Sequence, residues 1–96
     1  MTRDEIVRLL RDHRAEIEGL GVKSLALFGS AARDEAGTGS DVDVLVEFTV
    51  PVGFFKFLDV KDYLETLLGC TVDLVTPNAL KRQLREHILR EAVRAL

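Results

Sequence analysis

With a single cysteine, Cys70, among its 96 residues, the chain can form no internal disulfide and no cysteine-cluster metal site, which fits a reducing compartment. It also lacks any excess of positive charge. Its formal net charge is -3, whereas a protein that lives by neutralising phosphates is normally basic, so extensive nucleic-acid binding is disfavoured and a local basic patch stays open. No apolar run approaches the roughly 18 residues that a membrane-spanning helix needs. The opening stretch MTRDEIVRLLRDHR is too charged for a secretory leader, and the expected location is the cytoplasm. There is no repeat, low-complexity segment or linker. What is present, 47% apolar and 30% charged residues, suits one globular domain over residues 1–96.

Local patterns divide that domain into alternating elements. Thr2 and Glu5 form a capping box ahead of a helix over 2–19, in which Ile6, Leu9, Leu10, Ile17 and Leu20 recur at helical spacing and Gly19 and Gly21 end the element. VKSLALF (22–28) reads as a short apolar strand running into Gly29-Ser30, with one turn of helix starting at Ser30. A polar loop over 34–40, with Gly37 and Gly39, follows. DVDVLVEF (41–48) is β-branched and alternates: Val42, Val44 and Val46 face one way, and Asp41, Asp43, Leu45 and Glu47 the other. Pro51 and Gly53 break the chain. A helix over 54–68 is expected to bury Phe54, Phe57, Leu64, Leu67 and Leu68 and to stop at Gly69. CTVDLVT (70–76) is a third strand. Thr76 then caps a last helix with Pro77 at its first position, burying Leu80, Leu84 and Ile88. The fold class is α/β, a small mixed sheet flanked by helices in the order αβ(α)βαβα.

This order concentrates the polar residues. A helix between strands 41–48 and 70–76 makes those strands parallel, so Asp41, Asp43 and Asp73 lie at one end of the sheet. If the first strand runs antiparallel to the second, Gly29-Ser30 reaches the same rim. Two neighbouring carboxylates on a half-buried strand repel each other and lose solvation, so something must compensate them. Three aspartates with no basic partner in the pattern suggest a hard divalent cation such as Mg²⁺, which is held by few carboxylates and by substrate phosphates. Gly29 lets the backbone approach a ligand. Ser30 offers a hydroxyl and an amide, and Arg33 can fork onto phosphate oxygens. Together they describe metal-assisted chemistry on a nucleoside triphosphate.

Gly29-Ser30, ten intervening residues, Asp41-Val-Asp43 and a later strand aspartate resemble the signature of the DNA polymerase β-like nucleotidyltransferase superfamily. The run LFGSAAR…GSDVDVLVEF…VDLVT looks like its minimal nucleotidyltransferases, small prokaryotic proteins typically paired with HEPN-domain toxins. The likeness covers about residues 20 to 95. It implies that Gly29 and Ser30 hold the triphosphate, that Asp41 and Asp43 bind two Mg²⁺ ions, and that Asp73 completes the site. It further implies transfer of AMP from ATP, with release of pyrophosphate, to a tyrosine of a cognate HEPN ribonuclease toxin, so that the chain acts as an antitoxin. A homo- or hetero-oligomer is compatible with that role. One residue departs from the pattern: Asp34 stands where family members often have glycine after the motif arginine. Two alternatives stay open, a binding-only antitoxin that occludes its toxin, and nucleotidyl transfer to a small molecule or RNA with a partner chain.

Simpler roles exist for each residue taken alone. Asp41 with Ser40 could cap a turn, Ser30 could cap a helix, and Arg33 could be a solvated surface residue. Glu47 lies further along the aspartates' face and reads as structural. His13, His87 and Cys70 likewise read as structural. Lys81, Arg82, Arg85, Arg90 and Arg94 make the last helix a solvated basic face, and in an acidic chain also a surface able to meet a partner or a phosphate tail.

Overall fold

A computed structural model describes residues 2–33 and 41–96. The polar loop expected over 34–40, including Asp34, Gly37, Gly39 and Ser40, lies outside the described residues. Thr2 and Glu5 close the expected capping box: the Glu5 amide donates to Thr2 Oγ1 and the Thr2 amide to Glu5 Oε2, both at 3.2 Å. The helix they start is not continuous to residue 19. It divides into α1 (Arg3–Asp12) and α2 (Arg14–Gly19) at His13, whose backbone leaves the helical region and whose amide donates to Leu10 O in a tighter turn. His13 Nδ1 lies 2.9 Å from Leu9 O, so the ring serves the break and is structural, as expected. Ile6, Leu10 and Ile17 remain on one face and are fully buried.

β1 (Val22–Phe28) pairs antiparallel with β2 (Val42–Phe48), and β2 pairs parallel with β3 (Val72–Val75) across α4 (Phe54–Leu68). A two-residue strand, β4 (Val93–Arg94), adds antiparallel to the other side of β1, giving the mixed order β3-β2-β1-β4. Between β1 and β2 stands α3, a single turn over Gly29–Ala32. The alternation of β2 is realised: Val42, Val44 and Val46 enter the main core with Leu25, Leu27, Val60 and Leu64. Helices α1, α2 and α4 pack around this core against the mixed sheet, giving the α/β architecture of a small mixed sheet flanked by helices expected from the sequence.

Two burial expectations need correction. Phe54 is 69% exposed and stacks edge-on with exposed Phe55, because α4 reaches the core through Val60, Leu64 and Leu68, one residue every four. The last helix does not begin at Pro77. Pro77–Ala79 form a 3-10 turn, Thr76 makes no side-chain cap, Leu80 is extended, and α5 runs only over Arg82–Glu91. Leu84 is 53% exposed, and Leu80 and Ile88 are only half-buried. The contact expected of α5 is made instead by Ala95 and Leu96, which are buried and whose amides both donate to Leu25 O, at 2.8 and 3.1 Å. Arg11 Nε holds Ala95 O at 3.0 Å from the far side.

Candidate active site

Strand pairing builds the acidic rim. In register, Phe28 stands opposite Asp43, and Asp43 stands opposite Asp73. The last residue of β1 and the two aspartates therefore form one row across three strands. Gly29 follows directly, at φ +62, a conformation that residues with a Cβ rarely adopt. It has a second reason to be glycine. A Cβ placed there would overlap Asp43 Oδ2 and come within 3.2 Å of Asp43 Cγ. The β1–α3 turn is thus pressed against the carboxylate.

Asp43 is the half-buried member of the set, while Asp41 and Asp73 are exposed. Its carboxyl is held above the ordinary aspartate range, first by burial, then by the charge of Asp73 and a hydrogen bond with it, and then by the charge of Asp41; Arg33 opposes the rise. Asp41, Asp43 and Asp73, all picked out from sequence, thus act on one another at one end of the sheet. Ser30 lies within α3, whose turn is fixed by buried Ala31 and Ala32. The α3 carbonyl of Ala32 accepts from Arg3 Nη1 at 3.2 Å, which ties the turn to α1.

Arg33 ends α3, its amide donating to Gly29 O at 3.3 Å. Its guanidinium lies 3.6 Å from Glu91 on α5, and Glu91 is also 3.4 Å from His87. Both members of the Arg33–Glu91 pair are well exposed, at 49% and 38%, and such exposed pairs contribute only about 0–1 kcal/mol each. Arg3 and Glu91 escaped the sequence reading, since nothing in local spacing tells that α1 and α5 converge on α3. Glu47 accepts from Ser24 Oγ at 3.3 Å in an exposed cross-strand contact and stays apart from the rim. Cys70 is half-buried against the core, and burial pushes its thiol up.

Among the described residues, no three His, Cys, Asp or Glu side chains stand as a ready-made ligand cluster. The donor set nevertheless suits a hard cation. It offers carboxylate oxygens, and the burial and neighbouring negative charges that raise the Asp43 carboxyl make its ionised form costly, a cost that a cation would offset. Mg²⁺ is commonly bound through one or two carboxylates, with substrate phosphates completing its shell, so a full protein cage is not required. Among the described residues, no helix is long and apolar enough to cross a membrane.

Residues 7–96 match the nucleotidyltransferase domain family. The chain is 43% identical over 94 residues to protein adenylyltransferase MntA of Thermococcus cleftensis, covering 97% of this chain and 95% of that one. A solved structure assigned as a minimal nucleotidyltransferase superposes with a TM-score of 0.75 at 37% identity, covering 91% of this chain and 93% of that one. The fold is also shared, with a TM-score of 0.60 at 20% identity, by a Shewanella oneidensis complex of a tri-AMPylated HEPN toxin with MNT antitoxin; 98% of this chain and 68% of that one are covered. With its Gly29 turn set against the paired aspartates of a matching fold, the chain belongs to the nucleotidyltransferase family.

Proposed function

We propose that this protein is an adenylyltransferase antitoxin that moves AMP from ATP to a tyrosine hydroxyl of a cognate HEPN-domain toxin in the cytoplasm. The observation that carries this reading is the contact of Gly29 with Asp43, which sets a positive-φ turn and an acidic pair face to face on one rim. The name of the Thermococcus relative and the AMPylated toxin in the Shewanella complex support AMP as the group moved and a HEPN-domain protein as its acceptor.

In this reading Gly29 and Ser30 hold the triphosphate through backbone and hydroxyl, and Arg33 leaves Glu91 for the phosphate oxygens. Asp41, Asp43 and Asp73 would hold Mg²⁺. Metal bound there would supply positive charge to the reacting oxygens and would make the acceptor hydroxyl more acidic. Asp73, exposed at the edge of the sheet, faces the acceptor and draws off its proton. The tyrosine oxygen forms a bond to the α-phosphorus, the bond from that phosphorus to the bridging oxygen breaks, and pyrophosphate departs with the electron pair. A tyrosine hydroxyl, with an ordinary pKa of about 10, becomes a competent nucleophile once it is deprotonated in this way.

Incubation with ATP, Mg²⁺ and the HEPN-domain protein encoded beside this chain should raise that partner's mass by one or more AMP units, and Asp41→Asn should abolish the gain. Intact-protein mass spectrometry reads the result. An unchanged partner mass, with toxicity still suppressed by the Asp41→Asn chain, would make this a binding antitoxin and overturn the enzymatic reading.

A further inference from the structure

We propose that Glu65 on α4 is a positioning residue for the transfer, fixing Asp73 opposite Asp43 through the backbone of Val72; the proposal rests on the role given above to Asp73. Among the described residues, β3 is an edge strand, paired with β2 on one side. Thr71 O accepts from the Val42 amide at 3.0 Å, so the Thr71 peptide faces β2. The Val72 N–H, one residue on, points to the open side of the sheet, where an edge strand ordinarily leaves such a group to water. Glu65 Oε2 takes it instead, at 2.9 Å.

The same oxygen accepts from Lys61 Nζ at 3.1 Å, so the carboxylate is aimed by a neighbour one turn back on α4. The main chain of Glu65 is engaged too: its carbonyl accepts from the Gly69 amide at 2.8 Å, where Gly69 at φ +69 ends the helix. Glu65 thereby grips the α4–β3 turn twice, at the end of the helix by its backbone and at the start of the strand by its side chain. The residue after Val72 is Asp73, in register with Asp43. Releasing the Val72 amide loosens the α4–β3 turn at the start of the strand, just before Asp73, and a displacement of about 1 Å at a reacting group can cost on the order of 10²-fold in rate.

The test compares Glu65→Ala with Glu65→Gln, whose amide oxygen still accepts from Val72. Each is assayed below its own melting temperature, with ATP and the HEPN-domain protein as acceptor. Glu65→Ala should lower kcat about 10- to 100-fold while ATP affinity stays within about twofold, and Glu65→Gln should stay near wild type. Independently of activity, amide exchange in the metal-free protein should quicken at least about tenfold at Val72 in Glu65→Ala and stay unchanged at Val44 in the sheet centre. Unchanged Val72 exchange in Glu65→Ala, or equal impairment of the Ala and Gln variants, would overturn the proposal. Transfer that is lost in Asp73→Asn yet intact in Glu65→Ala would overturn it alone. Transfer that survives Asp73→Asn would remove the role of Asp73, and this proposal with it.

Discussion

Replacing Gly29 by alanine is expected to reduce AMP transfer at least about 10²-fold, the scale of loss when reacting groups are displaced by about an ångström. Two effects combine at this position. The backbone at φ +62 strains any residue with a Cβ, at about 1–3 kcal/mol. The added methyl must also displace the Asp43 carboxylate, on the strand between β1 and β3, from the position facing Asp73. Gly21 separates these effects. It too has a positive φ, +91, but a Cβ there would meet nothing within 4 Å. Gly21→Ala should therefore lower the melting temperature and leave the rate per folded molecule unchanged, whereas Gly29→Ala should lower both. Equal rates in the two variants, after correction for the folded fraction, would mean that the Gly29–Asp43 contact has no part in the chemistry.

Asp43→Asn should abolish transfer, by at least about 10²–10³-fold, and yet leave the metal-free fold no less stable at neutral pH. Burial and the charges of Asp73 and Asp41 raise the Asp43 carboxyl above its unfolded value of about 3.9, so the folded chain binds that proton more tightly than the unfolded chain does. The stability linked to this proton is complete below the unfolded value and is lost as pH rises through the folded one. At pH 7 the ionised group is thus a liability, which asparagine removes. In chelator, the variant should melt at or above the wild-type temperature at pH 7, and the gap should close as pH falls through the raised Asp43 value. A residue that merely capped a turn would behave in the opposite way, and its loss would cost roughly 0.5–2 kcal/mol. A clear fall in melting temperature for Asp43→Asn at pH 7 would favour that structural role.

Much of this rim was legible in the chain itself. β2 announces itself because its valines alternate with carboxylates, and period two has no other reading when the residues are β-branched. Gly29-Ser30 closing an apolar run and Asp73 in a second βαβ strand were enough to place the polar groups at one end of the sheet. Contacts set by packing were not legible. β4 is two residues long, too short for any periodicity, and it forms because the chain end can reach the free side of β1. The break at His13 depends on its ring and amide turning to Leu9 and Leu10, which the apolar spacing across α1 and α2 conceals. Phe54 reads as core because it is aromatic, but it opens α4 and lies off the face that carries Val60, Leu64 and Leu68 into the core. The Glu91 partner of Arg33 and the Val72 partner of Glu65 join residues whose elements meet only in three dimensions.

In the proposed function, the Gly29–Asp43–Asp73 rim binds nucleotide and its carboxylates require a cation. Isothermal calorimetry with ATP, with and without Mg²⁺, on the wild-type chain and on Asp43→Asn tests it most directly. Binding to the wild type should depend on Mg²⁺, and that dependence should be lost in Asp43→Asn. Equal affinity in all four titrations would contradict it.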